Sequence, residues 1–449
     1  MLSYSVSSES TTESANVDSA AKQSFGIDYE KFLSCVHCGL CTASCPTYKI
    51  TGDENDSPRG RIYLMRAVVD GKTKLTDEIE HHLELCLDCR ACETACPSGV
   101  QYGRLIEPFR SHSVETKTDW FHRWILWKLF PNAKRLSLVL IPARISARLG
   151  LFWLIRATGI WKLLPARIGR LLTMLPPLQS TPALPKWLPA IGEKRATVAL
   201  FTGCVADAML RQVHWATVRV LQANGCEVLV PEQQACCGAI HFHSGNESPA
   251  QELADANLDA FGALDVDAIV VNVAGCGAML KEYGVAWSDA RQPERQAFAS
   301  RVRDVSEFLA ELGWVAPMGE LSGKATYHDA CHLAHAQGIR SAPRQLLEQI
   351  PGLEWIPLTE SDTCCGAAGT YNLTQTKMAD ELGARKLNHI LQTGARTVIS
   401  ANAGCTLQII RESRLHGTKL EVLHPMELLD RSCQRAGSSS DQVGTPSRI

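Results

Sequence analysis

The chain has 449 residues, 45% of them hydrophobic and 20% charged, with a formal net charge of −2. That is a globular composition with room for two to four domains, and its near-neutral balance excludes the strong basic or acidic character that nucleic acid or another charged polymer would call for. Eighteen cysteines are the outlier; no basic segment followed by an apolar core opens the chain, so a cytoplasmic setting with reduced thiols is expected, and metal ligation rather than disulfides.

Residues 1–22 are rich in Ser, Thr and Ala without apolar periodicity and are expected to form a disordered tail. Residues 23–114 carry two dense cysteine groups. Cys35-x2-Cys38-x2-Cys41-x3-Cys45-Pro46 recurs as Cys86-x2-Cys89-x2-Cys92-x3-Cys96-Pro97. Three thiolates at three-residue steps can ligate three irons of one cubane, while the fourth, set off by proline, reaches a second cluster. The expected ligation is therefore crossed: Cys35, Cys38, Cys41 and Cys96 for one [4Fe–4S] cluster, and Cys86, Cys89, Cys92 and Cys45 for the other. Structural zinc also uses paired C-x2-C but has no use for a third cysteine at the next step, twice over. The proline is expected to end any helix and to remove a backbone donor beside the sulfur, and amides such as that of Gly39 to tune the potential. Between the groups, Ser57-Pro58-Arg59-Gly60-Arg61 reads as a helix start. Arg59 and Arg61 read as a solvated face, with docking to an acidic partner or to cluster charge as the alternative.

Residues 115–194 form a basic, Trp-rich linker. From Asp119 to Ala190 eleven Lys/Arg stand against the single acid Asp119, and six of the ten tryptophans fall there. Short apolar runs alternate with cations at helical spacing, so amphipathic helices are expected, packing on the rest of the protein and on a partner; a membrane surface is the secondary reading. No run approaches the roughly 18–20 apolar residues of a spanning helix.

Residues 195–318 and 319–434 are two copies of one α/β unit, followed by a tail at 435–449. Cys204 and Cys331 each end a short apolar strand, Cys236-Cys237-Gly238 echoes Cys364-Cys365-Gly366, and Cys276 matches Cys405 after a second strand. Strands alternating with helix-length segments predict parallel sheets, with the cysteines at strand carboxyl ends where such sheets place ligand sites. The expected fold class is α/β overall, a helical two-cluster ferredoxin-like module followed by two tandem α/β domains. His241 and His243 follow the first Cys-Cys-Gly; His328, Asp329, His332 and His335 surround Cys331 and form a candidate pocket rim. Cys226 reads as a small buried hydrophobe, and Cys433 has no partner nearby.

Each copy resembles the cysteine-rich CCG domain of heterodisulfide-reductase-like proteins. That family's pattern ends in C-x2-C, but here Met279 and Gln408 stand at the final position, which puts its non-cubane cluster in doubt. Cys204, Cys236, Cys237 and Cys276, and Cys331, Cys364, Cys365 and Cys405, remain candidate ligands for a cubane or a metal ion. A purely conformational role for them fits the residues equally.

The ordered set of parts resembles the iron–sulfur subunit of bacterial glycolate oxidase (glycolate dehydrogenase). The runs that carry this are Cys35-Val-His-Cys-Gly-Leu-Cys-Thr-Ala-Ser-Cys-Pro-Thr-Tyr, Ser57-Pro-Arg-Gly-Arg-Ile-Tyr-Leu, Gly275-Cys-Gly-Ala-Met-Leu-Lys-Glu-Tyr-Gly and Cys364-Cys-Gly-Ala-Ala-Gly-Thr-Tyr. The resemblance implies an oxidoreductase complex in which FAD-binding partner subunits oxidise glycolate to glyoxylate. This chain would pass the electrons to a quinone or another acceptor, in the cytoplasm or peripherally on the inner face of the cytoplasmic membrane. The absence of a Gly-rich dinucleotide fingerprint agrees with no flavin on this chain. Subunits serving lactate or glycerol-3-phosphate oxidation share the same parts, and a heterodisulfide-reductase-like catalytic subunit is the third reading.

Overall fold

In a computed structural model, residues 25–149, 158, 166–177 and 181–443 are described. The expected N-terminal tail lies outside them. The described chain divides into two compact units: residues up to Lys117 together with His243–Gly245, and Thr118–Phe242 with Asn246 onward.

The first unit is helical. Its longest regular helices are Pro58–Val69, Asp77–Glu84 and Gly103–Lys117. Ser57 caps the first, its hydroxyl accepting from the Gly60 amide at 2.9 Å, and Pro58 supplies a fixed φ at the first helical position. Thr76 caps the second by accepting from the Ile79 amide, and Asp77, Glu78 and Glu80 sit in its first turn, where the helix dipole favours anions. Their apolar faces meet in one core built from Phe32, Ile62, Met65, Val69, Ile79, Leu83, Leu105, Ile106 and Phe109. Burying each such side chain contributes about 1.5–3 kcal/mol.

The second unit holds two sheets. In the first, β1 (Trp187–Leu188), β2 (Ala196–Phe201), β3 (Cys226–Leu229), β4 (Ala268–Val271) and β5 (Val302–Asp304) run in the order β1-β3-β2-β4-β5. In the second, β6 (Gly323–His328), β7 (Leu353–Trp355), β8 (Thr397–Ser400) and β9 (Glu421–Leu423) run β7-β6-β8-β9. All pairings are parallel except that of β1, the antiparallel edge. Without β1 the two orders are the same, which is the duplication expected from the cysteine landmarks. The registers agree as well: Phe201 pairs with Val271 at the end of β2, and His328 with Ser400 at the end of β6. The central strands are buried on both faces, as parallel sheets covered by helices require.

The linker helices Ala133–Val139 and Ala166–Met174 pack on the repeats. Phe121, Leu126 and Met174 meet Leu373 and Leu407, while Leu136, Leu140 and Leu175 meet Ala208. Arg170 pairs with Asp380 at 2.7 Å, and Arg144 donates to the Ala208 carbonyl at 2.7 Å. Trp153 and Trp161 lie outside the described residues. No described helix is long and apolar enough to cross a membrane. The last helix, Pro425–Val443, continues into the residues expected as a C-terminal tail. Met426, Leu428, Leu429 and Ser432 anchor it in the core, and the Gly/Ser residues that follow extend it by a further turn or two.

Candidate functional site

None of the eighteen cysteines is joined in a disulfide. In the first unit the two dense loops share one backbone device. His37 and Gly39 have φ of 54° and 82°, and Asp88 and Arg90 have φ of 53° and 59°, at the same offsets from Cys35 and Cys86. Paired left-handed residues curl each loop so that successive thiols converge on one point. The conformation suits Gly39, is tolerable for Asp88, and for Arg90 must be held by its surroundings. They do hold it: the Arg90 guanidinium donates to Asp88 at 2.7 Å, Glu93 at 3.2 Å and Glu107 at 2.7 Å. Asp88 also faces Arg110 at 3.5 Å and His243 at 3.0 Å. A side chain on Gly103 would overlap the Arg90 guanidinium.

One cavity is lined by Cys35, Cys38, Cys41, Cys92 and Cys96, with Val36, Leu40, Ile62 and Tyr102 supplying apolar wall. Cys45 points elsewhere. Its Sγ lies 3.2 Å from the Thr47 hydroxyl and 4.0 Å from the Arg61 guanidinium. Burial, then the neighbouring Cys89 and Cys86 and further Cys45, push the Cys92 thiol well above its usual pKa. Thiols so crowded and so dry gain most from a metal that takes their protons; the donor set therefore fits iron–sulfur clusters.

Two sequence expectations need correction here. Arg61 is not on a solvated face: it is 1% exposed, donating to the His82 carbonyl at 2.6 Å and to Thr47 at 3.1 Å, with Asp56 at 3.5 Å. Those partners come from three separate segments, so helix periodicity around Pro58 could not reveal them. Arg59 does stay at the surface, donating to Glu54 at 2.7 Å and to the His37 carbonyl at 3.3 Å. Pro46 opens a helix, Pro46–Thr51, instead of ending one, because a fixed φ and a missing donor cost nothing at the first helical position.

In the second unit each repeat gathers its four cysteines at the carboxyl ends of the central strands. In the first repeat Cys204 and Cys236 stand 3.3 Å apart. Hydrogen bonds from Cys204 and Cys237, aided by the Gly238 amide, hold the Cys236 thiol well below its usual pKa, and the same contacts raise its two neighbours. Asn257 fixes the loop by accepting from the Ala235 amide and donating to the Cys236 carbonyl. Gly238 and Gly366, at φ of 85° and 84°, let each Cys-Cys-Gly turn press on a helix, where a Cβ would meet the Ala250 or Ala379 carbonyl. Met279 and Gln408 are buried core residues, Gln408 bonded to Asn372 and to the Ala379 carbonyl.

In the second repeat Cys331, Cys364, Cys365 and Cys405 are each at most 5% exposed. His328 joins them, its ring nitrogen and the Cys365 and Cys405 sulfurs all lying within 4.8 Å of one another. Of the other rim candidates, Asp329 is engaged by Arg344, and His335 by Asp362 and Arg340. His241 sets its ring at a tilt to that of Trp127, centroids 6.2 Å apart, near the first repeat's thiols, and His243 belongs with Asp88 in the first unit. Cys226 is fully buried at the start of β3, and burial pushes the Cys433 thiol up to about 11. The repeats meet at these sites: the Ala274 amide donates to the Ala401 carbonyl at 3.0 Å, and the Gly275 amide to the Asn402 side chain at 3.1 Å.

Comparison with known families agrees with this arrangement. Residues 31–100 match the 4Fe-4S dicluster domain, 198–281 and 325–410 the cysteine-rich domain, and 117–175 the linker region of the glycolate oxidase iron–sulfur subunit. The chain is 38% identical to the probable glycolate oxidase iron–sulfur subunit of Bacillus subtilis and 33% identical to the glycolate oxidase iron–sulfur subunit of Escherichia coli. Each alignment covers 90% of this chain and 94% of the relative. It is 35% identical to lactate utilization protein A of Shouchella clausii, over 52% of this chain and 98% of that one. With full-length likeness, the linker region and both repeats in place, the chain belongs to the glycolate oxidase iron–sulfur subunit family.

Proposed function

We propose that this protein is the electron-transfer subunit of a glycolate dehydrogenase, receiving electrons from FAD-binding partner subunits that convert glycolate to glyoxylate. The observation that carries this reading is the sorting of the eight dense-loop thiols. Cys35, Cys38, Cys41 and Cys96 share a cavity that Cys92 also borders, while Cys45 lies outside it and Cys92 feels the charges of Cys89, Cys86 and Cys45. That sorting supports crossed ligation of two [4Fe–4S] clusters, which would supply two one-electron centres for the electron pair a flavin gives up. The chain's own residues hold these positions: the left-handed turns aim the thiols, Arg61 brings a buried positive charge to Cys45, and Ile62 and Tyr102 form a buried part of the first cavity's wall. A quinone or another acceptor would take the electrons next, with the linker's exposed Trp120 and Trp124 offering contact to a partner or a membrane surface.

The domain limits at residues 23–114, 195–318 and 319–434 are part of the same proposal. Glycolate is favoured over lactate because likeness to lactate utilization protein A covers only half of this chain. Co-expression with the flavoprotein subunits tests the substrate: the complex should reduce a dye with glycolate and not with lactate or glycerol-3-phosphate. Iron and acid-labile sulfide per chain test the clusters, two [4Fe–4S] clusters requiring about eight of each.

A further inference from the structure

The two repeats differ at the ends of their first central strands, where the thiols gather. Phe201 closes β2 and His328 closes β6, at the same register of the two sheets. His328 is 0% exposed, and its Nδ1 lies 3.0 Å from the Ser361 carbonyl oxygen. A carbonyl only accepts, so Nδ1 carries the hydrogen and Nε2 keeps its lone pair. That Nε2 is buried with no hydrogen-bond partner. A buried acceptor left unmatched is costly, and a carbonyl that fixes the tautomer is how metal-binding histidines are oriented.

The remaining surroundings point the same way. Asn402 donates from Nδ2 to the Cys405 sulfur at 3.3 Å. Val273 occupies the corresponding place in the first repeat, so the donor is particular to the second. Lys386, 3% exposed and anchored on the Ser361 carbonyl, brings a positive charge within range of Cys365, Cys364 and Cys405. Donors within 4.8 Å of one another suit a single ion: thiolates sharing one zinc at about 2.3 Å stand about 3.8 Å apart, whereas ligands on separate irons of a cubane must spread around the whole cluster.

The geometry points to a closed mononuclear site for zinc in the second repeat, with His328 Nε2, Cys365 and Cys405 as ligands and Cys331 or Cys364 as the fourth. Zinc displaces the thiol protons to solvent, no electron moves, and the three thiolates and one neutral imidazole leave one net negative charge facing Lys386. Such an ion would lock the wall between the repeats through Asn402, which holds both Cys405 and the Gly275 amide. The inference is independent of the electron-transfer reading, since it concerns neither dense loop.

The test is metal analysis of the full-length chain purified without added zinc, then after zinc loading and chelator wash, together with X-ray absorption at the zinc edge. About one zinc per chain is expected, with a shell of mixed nitrogen and sulfur. His328→Phe, which copies the first repeat, should lose that zinc while its iron content matches the parent's. A sulfur-only shell in the unaltered protein, zinc that washes out, or zinc retained by a folded H328F chain would overturn the assignment. So would iron above eight per chain that falls by about four in H328F, which would mark a cluster instead. If H328F does not fold, the absorption shell of the unaltered chain still decides.

Discussion

The two dense cysteine loops have the same spacing and the same pair of left-handed residues, yet they are built in opposite surroundings. The first is open: Cys38 is exposed, Gly39 supplies one of the turns, and the nearby cation, Arg59, lies at the surface. The second is closed: Cys86 and Cys89 are buried, and a non-glycine turn at Arg90 is held by three carboxylates. Arg61, buried beside Cys45, extends this dry environment to the fourth thiol that the crossed scheme assigns to the second cluster. Identical spacing therefore sets out the same candidate ligands in both loops, and the residues between and around them set the environment. One loop is suited to meeting another molecule, and the other to holding charge inside the protein.

The largest effects come from the thiols themselves. Cys38→Ser and Cys89→Ser should each remove about half the iron, four of about eight atoms, but they should abolish different electron paramagnetic resonance signals. Crossing makes a sharper demand. Cys45→Ser should remove the signal lost in Cys89→Ser, and Cys96→Ser the one lost in Cys38→Ser. If each fourth cysteine instead goes with its own loop, the crossed scheme is wrong and the comparison of environments must be redrawn.

Next in size is the cost of opening the closed loop. Arg90→Ala leaves Asp88 and Glu107 buried without their main partner, a loss of about 3–5 kcal/mol. Gly39→Ala in the open loop meets only the movable end of Arg59 and a left-handed backbone, costing about 1–2 kcal/mol. Denaturant unfolding of the two variants should rank them in that order, and equal losses would mean that the second loop is no more tightly held than the first.

What could be read from the sequence, and what could not, follows the same division. Repetition was legible: two equal spacings, and three landmarks recurring near one offset, define the loops and the duplicated sheets before any contact is known. Residues whose role depends on several distant segments were not. Arg61 looks like a surface charge at a helix start until Asp56, Thr47 and the His82 carbonyl close around it. Nothing local marks Arg90 for a left-handed turn, because its reasons lie at Asp88, Glu93 and Glu107. His328 stood out as one of four polar groups near Cys331, but only the Ser361 carbonyl, 33 residues away, turns its lone pair inward.

Arg61 also predicts a difference in potential. A unit positive charge 4.0 Å from the Cys45 sulfur, which the crossed scheme gives to the second cluster, would be worth about 4 kcal/mol at an effective dielectric of 20. For one electron that is on the order of 100 mV. Arg61→Gln should lower the potential of the cluster lost in Cys89→Ser by that order in a redox titration followed by electron paramagnetic resonance. Arg59→Gln, screened by water, should move the other by less than about 20 mV.

The smallest effect separates the two acids that pair with these arginines. Glu54 is half exposed, and its hydrogen bond from Arg59 holds its carboxyl below the usual range. A carboxylate with a lowered folded pKa contributes stability above its unfolded value, lost as pH falls below about 4.5 toward the folded one. Because the pair is exposed, Glu54→Gln should cost at most about 0.5–1 kcal/mol near neutral pH and nothing once the acid is protonated. Asp56 is 3% exposed between Arg61 and His82, so Asp56→Asn at pH 7 should cost several times more by leaving Arg61 as an uncompensated buried charge. Melting temperatures of both variants at pH 7 decide the matter: if they fall equally, burial of Arg61 does not distinguish the second cluster's surroundings from the first's.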